Sequence, residues 1–112
     1  MNRLTKRLAD LKKQNKKALV AYLVAGDPDI ESTLQLMNLF VESGVDVLEI
    51  GVPFTDPIAE GPIIQKAHDR ALEKNISLTA IFEMVQKFRE TDNTTPIVLM
   101  GYLNTFLSHK KI

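Results

Sequence analysis

Cysteine and tryptophan are absent from the 112 residues. That excludes a disulfide scaffold, a thiolate zinc site and a cysteine nucleophile. Long apolar runs are missing too: none approaches the ~20 residues that a membrane-spanning helix needs. The basic start has no apolar stretch behind it of the kind a secretory signal carries. Charge of one sign is not in excess, since fourteen Lys and Arg balance fourteen Asp and Glu, and 45% of the residues are apolar. Such a composition excludes intrinsic disorder and supplies enough apolar surface for one core. No P-loop, dinucleotide fingerprint or nucleophile elbow is present. The expectation is a soluble, cytoplasmic protein built around a single core.

The charges that are present are unevenly spread. Residues 1–17 hold Arg3, Lys6, Arg7, Lys12, Lys13, Lys16 and Lys17 against Asp10 alone, so the remainder of the chain is acidic. A basic arm can mark a nucleic-acid or membrane contact. Here Leu4, Leu8 and Leu11 recur at helical spacing, and no aromatic residue is interleaved to stack on bases. The lysines therefore read as the solvated face of a short helix over residues 1–16.

Behind it, Ala18 to Ala25 is apolar on both faces, as a buried parallel strand is, and Gly26-Asp27-Pro28 stops it. Ile30, Leu34, Met37 and Val41 then mark a helix of about fourteen residues, with Asp29 as N-cap and Gly44 as stop. A second strand spans Val45 to Ile50 and ends at Gly51. Pro53, Pro57, Gly61 and Pro62 dictate a loop from Val52 to Pro62. Pro62 suits the first turn of a helix carrying Ile64, Ala67, Ala71 and Leu72 and ending near Asn75. Ser77 caps another helix, with Leu78, Phe82, Val85 and Phe88 on one stripe. Pro96 opens a third strand, Ile97 to Met100. Alternation of this kind predicts a parallel α/β sheet. Three strands with open edges are few for a finished sheet, so the chain reads as the opening portion of something larger, or as a half-barrel that pairs with a copy of itself.

Glu49 does not fit its surroundings. It sits inside the apolar run Val47 to Val52, where a carboxylate is costly unless paired, protonated or used. A buried ion pair is one reading. Its place near the C-terminal end of a parallel strand, where barrels and open sheets carry their active sites, favours the functional one. The loop after it adds Asp56 and Glu60. No His lies near these acids and their spacing is not that of an EF-hand, so a metal site is not expected. Two carboxylates facing one substrate can instead divide acid and base work. Asp56, between Thr55 and Pro57, suits a turn-stabilising role as well as a catalytic one. Tyr22 and Tyr102 fall at strand ends where aromatic rings suit a flat apolar ligand, or simply fill a core. Asp27 reads as a turn residue, and His68 and His109 as surface residues.

The stretch Leu48-Glu49-Ile50-Gly51-Val52-Pro53-Phe54-Thr55-Asp56-Pro57-Ile58-Ala59-Glu60-Gly61-Pro62 resembles the signature of the tryptophan synthase α subunit family. Agreement extends to Gly26-Asp27-Pro28, Ile64-Gln65, and Tyr102 with Asn104. The similarity runs through all 112 residues, which correspond to less than half of such a subunit. It implies the N-terminal part of a TIM (β/α)8 barrel: about three β-α units over residues 18–112 behind the leading helix, which would cover the barrel's bottom. It implies a lyase of tryptophan biosynthesis that cleaves indole-3-glycerol phosphate to indole and glyceraldehyde 3-phosphate. By resemblance, Glu49 is the general acid–base that protonates C3 of the indole ring, and Glu60 binds the indole N–H. Tyr22 and Tyr102 line the indole pocket. Pro53, Asp56 and Pro57 face a β subunit, which holds pyridoxal phosphate in an α2β2-type assembly; the α subunit itself needs no cofactor and no metal. At position 60 the family usually carries Asp, one methylene shorter than the Glu60 found here.

The family's phosphate is held by late strand–helix loops of the barrel, and residues 1–112 contain no Gly-rich phosphate cradle. These residues on their own should therefore release no detectable indole from indole-3-glycerol phosphate. Robust turnover in a direct indole assay would refute that expectation.

Overall fold

Three strands, β1 (Val20–Val24), β2 (Val47–Gly51) and β3 (Ile97–Met100), pair in parallel in that order. They belong to a computed structural model that describes residues 2–54, 61–73 and 76–101. The helices are α1 (Arg3–Lys13), α2 (Ile30–Glu42), α3 (Pro62–Leu72) and α4 (Leu78–Arg89). Their ends follow local chemistry. The Asp29 carboxylate accepts the Ser32 N–H at 2.7 Å and starts α2, and the Ser77 hydroxyl oxygen accepts from Ala80 N at 3.1 Å to start α4. Pro62 occupies the first turn of α3, where its missing N–H leaves no bond unmade. Helix α2 closes in a Schellman turn, with Gly44 at φ +104°, its N–H on Val41 O and the Val45 N–H on Phe40 O. Asn15, at φ 56°, closes α1 in the same way.

Alternation along the strands divides the sheet into two faces. Leu48 lies between Ala21 and Ile97, and Ile50 between Leu23 and Leu99. Both are fully buried, in one cluster with Met37 of α2 and Ile81, Met84 and Phe88 of α4. That layer is the core. Helix α3 is outside it and packs Ala67 and Ala71 against Val24 at the end of β1, with Tyr22 and Ile64 beside them.

β1 and β2 each begin two residues later than the apolar runs predict. The reason is Asp46, whose carboxylate takes the Leu19 N–H at 2.8 Å while its own N–H donates to Leu19 O. A side chain thus does what the ladder would otherwise do. Helix α3 ends at Leu72, a turn short of the predicted Asn75, which lies outside the described residues.

Helix α1 is held by polar contacts to the N-terminal side of the sheet. The Arg3 guanidinium donates to Asn93 O at 2.7 Å and to Asn93 Oδ1 at 2.8 Å, while Arg7 lies 3.6 Å from the Asp46 carboxylate. None of its residues is fully buried: Leu4 and Leu11 are half-buried and Leu8 is 44% exposed, so the leucine stripe is only partly covered among the described residues.

The turn before β3 is organised by Asp92. Its carboxylate accepts from Thr94 N at 3.0 Å, Thr95 N at 2.9 Å and Thr95 Oγ1 at 2.6 Å. Burial pushes this carboxyl up, but the Thr95 and Thr94 hydrogen bonds, with Arg89 nearby, pull harder and hold it below the ordinary aspartate value of 3.8. A carboxyl lowered in the folded state stabilises above its unfolded-state value, and that contribution disappears as pH falls through the folded value. Asp92→Ala should cost about 1–3 kcal/mol at pH 7, and the deficit should shrink as pH drops below 3.8. Urea unfolding at a series of pH values checks both; a deficit independent of pH would contradict the assignment.

Candidate active site

The face opposite the core carries Tyr22 and Glu49. Tyr22, Glu49 and Val98 share one rung of the sheet, and Val24, Gly51 and Met100 share the next rung toward the strands' C-terminal ends. Residues paired in this way project from the same face, so the Glu49 side chain stands between those of Tyr22 and Val98. Its flanking residues Leu48 and Ile50 point into the core. Glu49 is half-buried, and among the described residues no hydrogen bond or ion pair ties up its carboxylate. Of the two readings open from the sequence, the buried ion pair finds no support among them.

Tyr22 leans along the sheet from its own rung to the next. Its ring and hydroxyl lie over Gly51, where an added Cβ would collide with Tyr22 Oη and fall 2.8 Å from Cζ. Gly51 is a glycine because an aromatic ring occupies the space above it. The Tyr22 hydroxyl reaches the imidazole of His68 on α3, with Oη and Nε2 3.3 Å apart and the donor set by the imidazole tautomer. On its other side His68 meets Phe54, ring centroids 4.7 Å apart and planes tilted by 48°.

His68 corrects the sequence reading. Its polar neighbours Lys66, Asp69 and Arg70 predict a surface position, but it is 1% exposed. The overlooked signal is spacing: Ile64, Ala67, His68 and Ala71 form one helical stripe facing the end of β1. Asp27, read as a turn residue, is also a clamp. Its carboxylate accepts two hydrogen bonds from Arg70, at 2.7 Å and 3.0 Å, and so ties α3 to the loop after β1. That fork holds the guanidinium proton more firmly than usual, first through the hydrogen bond and then through the opposite charge.

Pro53 is buried directly after β2 and leads into the half-buried Phe54. Asp56, Pro57, Glu60, Tyr102 and His109 lie outside the described residues, so of the expected site residues Glu49, Tyr22 and Pro53 are brought together at one end of the sheet. Among the described residues no three His, Cys, Asp or Glu side chains cluster as metal ligands would. A carboxylate beside an aromatic ring, on a sheet face free of the core, can exchange a proton with a flat, largely apolar ligand.

The model of the tryptophan synthase alpha chain family matches residues 8–111. The tryptophan synthase alpha chain of Alkalilimnicola ehrlichii is 55% identical over 104 residues, which are 93% of this chain and 38% of that one. A crystal structure of tryptophan synthase subunit alpha from Legionella pneumophila aligns with a TM-score of 0.94 at 51% identity, covering 97% of this chain and 42% of that chain. A tryptophan synthase complex from Pyrococcus furiosus aligns at 0.72 and 42% identity, covering 84% of this chain and 41% of that chain. The chain thus spans about two fifths of the length of these relatives. Its three strands and their helices are the N-terminal part of a (β/α)8 barrel, as the family resemblance implies.

The fit of Tyr22 over Gly51 has a measurable consequence. Gly51→Ala should destabilise the chain by about 1–3 kcal/mol, because the ring must move off the sheet. Combined with Tyr22→Ala, which removes the obstruction, the same substitution should cost far less. Urea unfolding of the four variants measures the coupling; simple additivity would show that the ring does not occupy this space.

Proposed function

The chain belongs to the tryptophan synthase alpha chain family, and from that membership we propose that it supplies the acid–base wall of a site that cleaves indole-3-glycerol phosphate to indole and glyceraldehyde 3-phosphate. One observation carries the reading: a carboxylate, Glu49, stands on the non-core face beside Tyr22 with no ion pair among the described residues.

The chemistry follows from what the bond requires. A proton added to C3 of the indole ring turns the ring into an iminium-like electron acceptor. The electron pair of the carbon–carbon bond then passes to the ring as the side-chain hydroxyl gives its proton to the Glu49 carboxylate and becomes the aldehyde. Glu49 is the proton donor to C3, and its partial burial favours direct transfer over exchange with water. Glu60 accepts the indole N–H and stabilises the positive charge that appears on the ring. Tyr22 and Tyr102 form the flat walls against which the ring lies. Pro53, Asp56 and Pro57 lie in a loop that faces a β subunit in an α2β2-type assembly, the form in which the similar tryptophan synthase of Pyrococcus furiosus is described. Pyridoxal phosphate belongs to that partner, so no cofactor is assigned to residues 1–112, and the whole works in the cytoplasm as one partial barrel domain.

Glu49→Gln keeps the shape and removes the titratable proton. In the full-length subunit carrying this sequence it should lower kcat for indole release by roughly 10²–10⁴-fold, with an unchanged far-UV spectrum. A variant that turns over near the wild-type rate would end the assignment of Glu49 as the acid.

A further inference from the structure

The buried imidazole of His68 has no part in the proton transfer just described, yet it touches two elements of the site at once. One ring nitrogen meets the Tyr22 hydroxyl at 3.3 Å, and the imidazole packs at a tilt on Phe54 with ring centroids 4.7 Å apart. Tyr22 stands on the rung of Glu49 and lies across Gly51, while Phe54 follows Pro53 at the start of the loop after β2. We propose that His68 is a positioning residue: it fixes the aromatic wall beside Glu49 and links that wall to the loop that begins at Pro53. The inference rests on the reading of Glu49 and Tyr22 as substrate-facing groups and adds a residue to it.

Three physical features make His68 suited to this. Where Tyr22 reaches over Gly51 there is no side chain beneath its hydroxyl end to limit sliding, so the hydroxyl is the natural point at which to hold it. The imidazole end of the bond is buried, at 1% exposure for His68, so the partly buried hydrogen bond meets less competing water and fixes direction as well as distance. The helix that carries His68 is itself anchored twice, by Ala67 and Ala71 packed on Val24 and by the Arg70 fork on Asp27. The imidazole is therefore a rigid peg that senses any displacement of Phe54. A displacement of Phe54 would reach Tyr22 through it, and Tyr22 borders the proposed ring-binding wall.

The test compares His68→Leu, His68→Asn and Tyr22→Phe in the full-length subunit carrying this sequence, with indole-3-glycerol phosphate as substrate. His68→Leu should lower kcat/KM roughly tenfold, less than the ~100-fold that a full ångström of misplacement can cost. Tyr22→Phe removes the same hydrogen bond from the other side, so the double variant should be no slower than the worse single one. His68→Asn, which keeps a hydrogen-bonding group, should recover part of the loss. A spectroscopic arm guards against variants that merely fold poorly. The near-UV difference spectrum between each protein and its counterpart carrying Tyr22→Phe isolates the Tyr22 band from every other aromatic residue of the subunit. His68→Leu should shift that band and His68→Asn should restore it in part. Multiplicative kinetic losses, or an unmoved band, would overturn the proposal. So would normal kinetics in all His68 variants alongside an inactive Glu49→Gln, an outcome that leaves the reading of Glu49 standing.

Discussion

If β2 slipped by one residue against β1, Glu49 would turn into the apolar layer beneath α2 and α4, and Leu48 and Ile50 would turn out of it. A lone carboxylate in such a layer costs several kcal/mol unless it is neutralised. Each aliphatic side chain brought out of the core forfeits a further ~1.5–3 kcal/mol. The register of Tyr22 on Glu49 is therefore strongly specified by the two faces of β2. Both the core and the site depend on it, because the same short strand serves both. Main-chain bonds beyond the strands reinforce the alignment: Ala25 N–H donates to Gly51 O, Val52 N–H to Met100 O and Leu48 N–H to Pro96 O.

With the register fixed, α3 decides what lies over the C-terminal ends of the strands. It shares little of the core and is held by small-residue packing on Val24 and by polar contacts to Asp27 and Tyr22. Close approach is needed at both ends of its attachment. Gly51 leaves room for the Tyr22 ring, and at Gly26, with φ +87°, an added Cβ would collide with Ile76 Cγ1. A helix attached mainly through directional contacts holds its orientation through a few bonds. That is why single polar residues such as His68 and Arg70 carry a larger share of its attachment than any one of Leu78, Ile81, Met84 and Phe88 carries for α4.

Much of this was legible in the sequence where the governing interaction is local. Asp29, Gly44, Pro62 and Ser77 mark helix ends because a cap depends on the three or four residues beside it, and all four serve as read. β3 follows from a short apolar run behind a proline. The departures have non-local or competing causes. The strand starts are displaced by Asp46, which bonds to a residue 27 positions away. The burial of His68 depends on Tyr22, 46 positions away, and single-residue polarity gives no hint of it. Glu49 stood out because it contradicts its own strand, whereas the roles of Glu60 and Tyr102 rest on resemblance alone.

The two ends of the sheet do different work. At the N-terminal end, Arg3, Arg7, Asp46, Asp92 and Thr95 form a polar lattice that pins α1 and the turn before β3. Burial and the charge of Arg3 make the Arg89 guanidinium easier to deprotonate than usual, so its bond to Thr95 O at 2.7 Å is made at an electrostatic cost. Such a cost is tolerable where the return is rigidity. At the C-terminal end the polar groups are used differently: Glu49 is left without an ion pair among the described residues while Tyr22 and α3 are fixed around it. The proton transfer proposed for Glu49 requires this, since a fixed cation beside it would hold the carboxylate ionised. Stability gathered at one end of the strands is what allows the other end to leave Glu49 without an ion pair among the described residues.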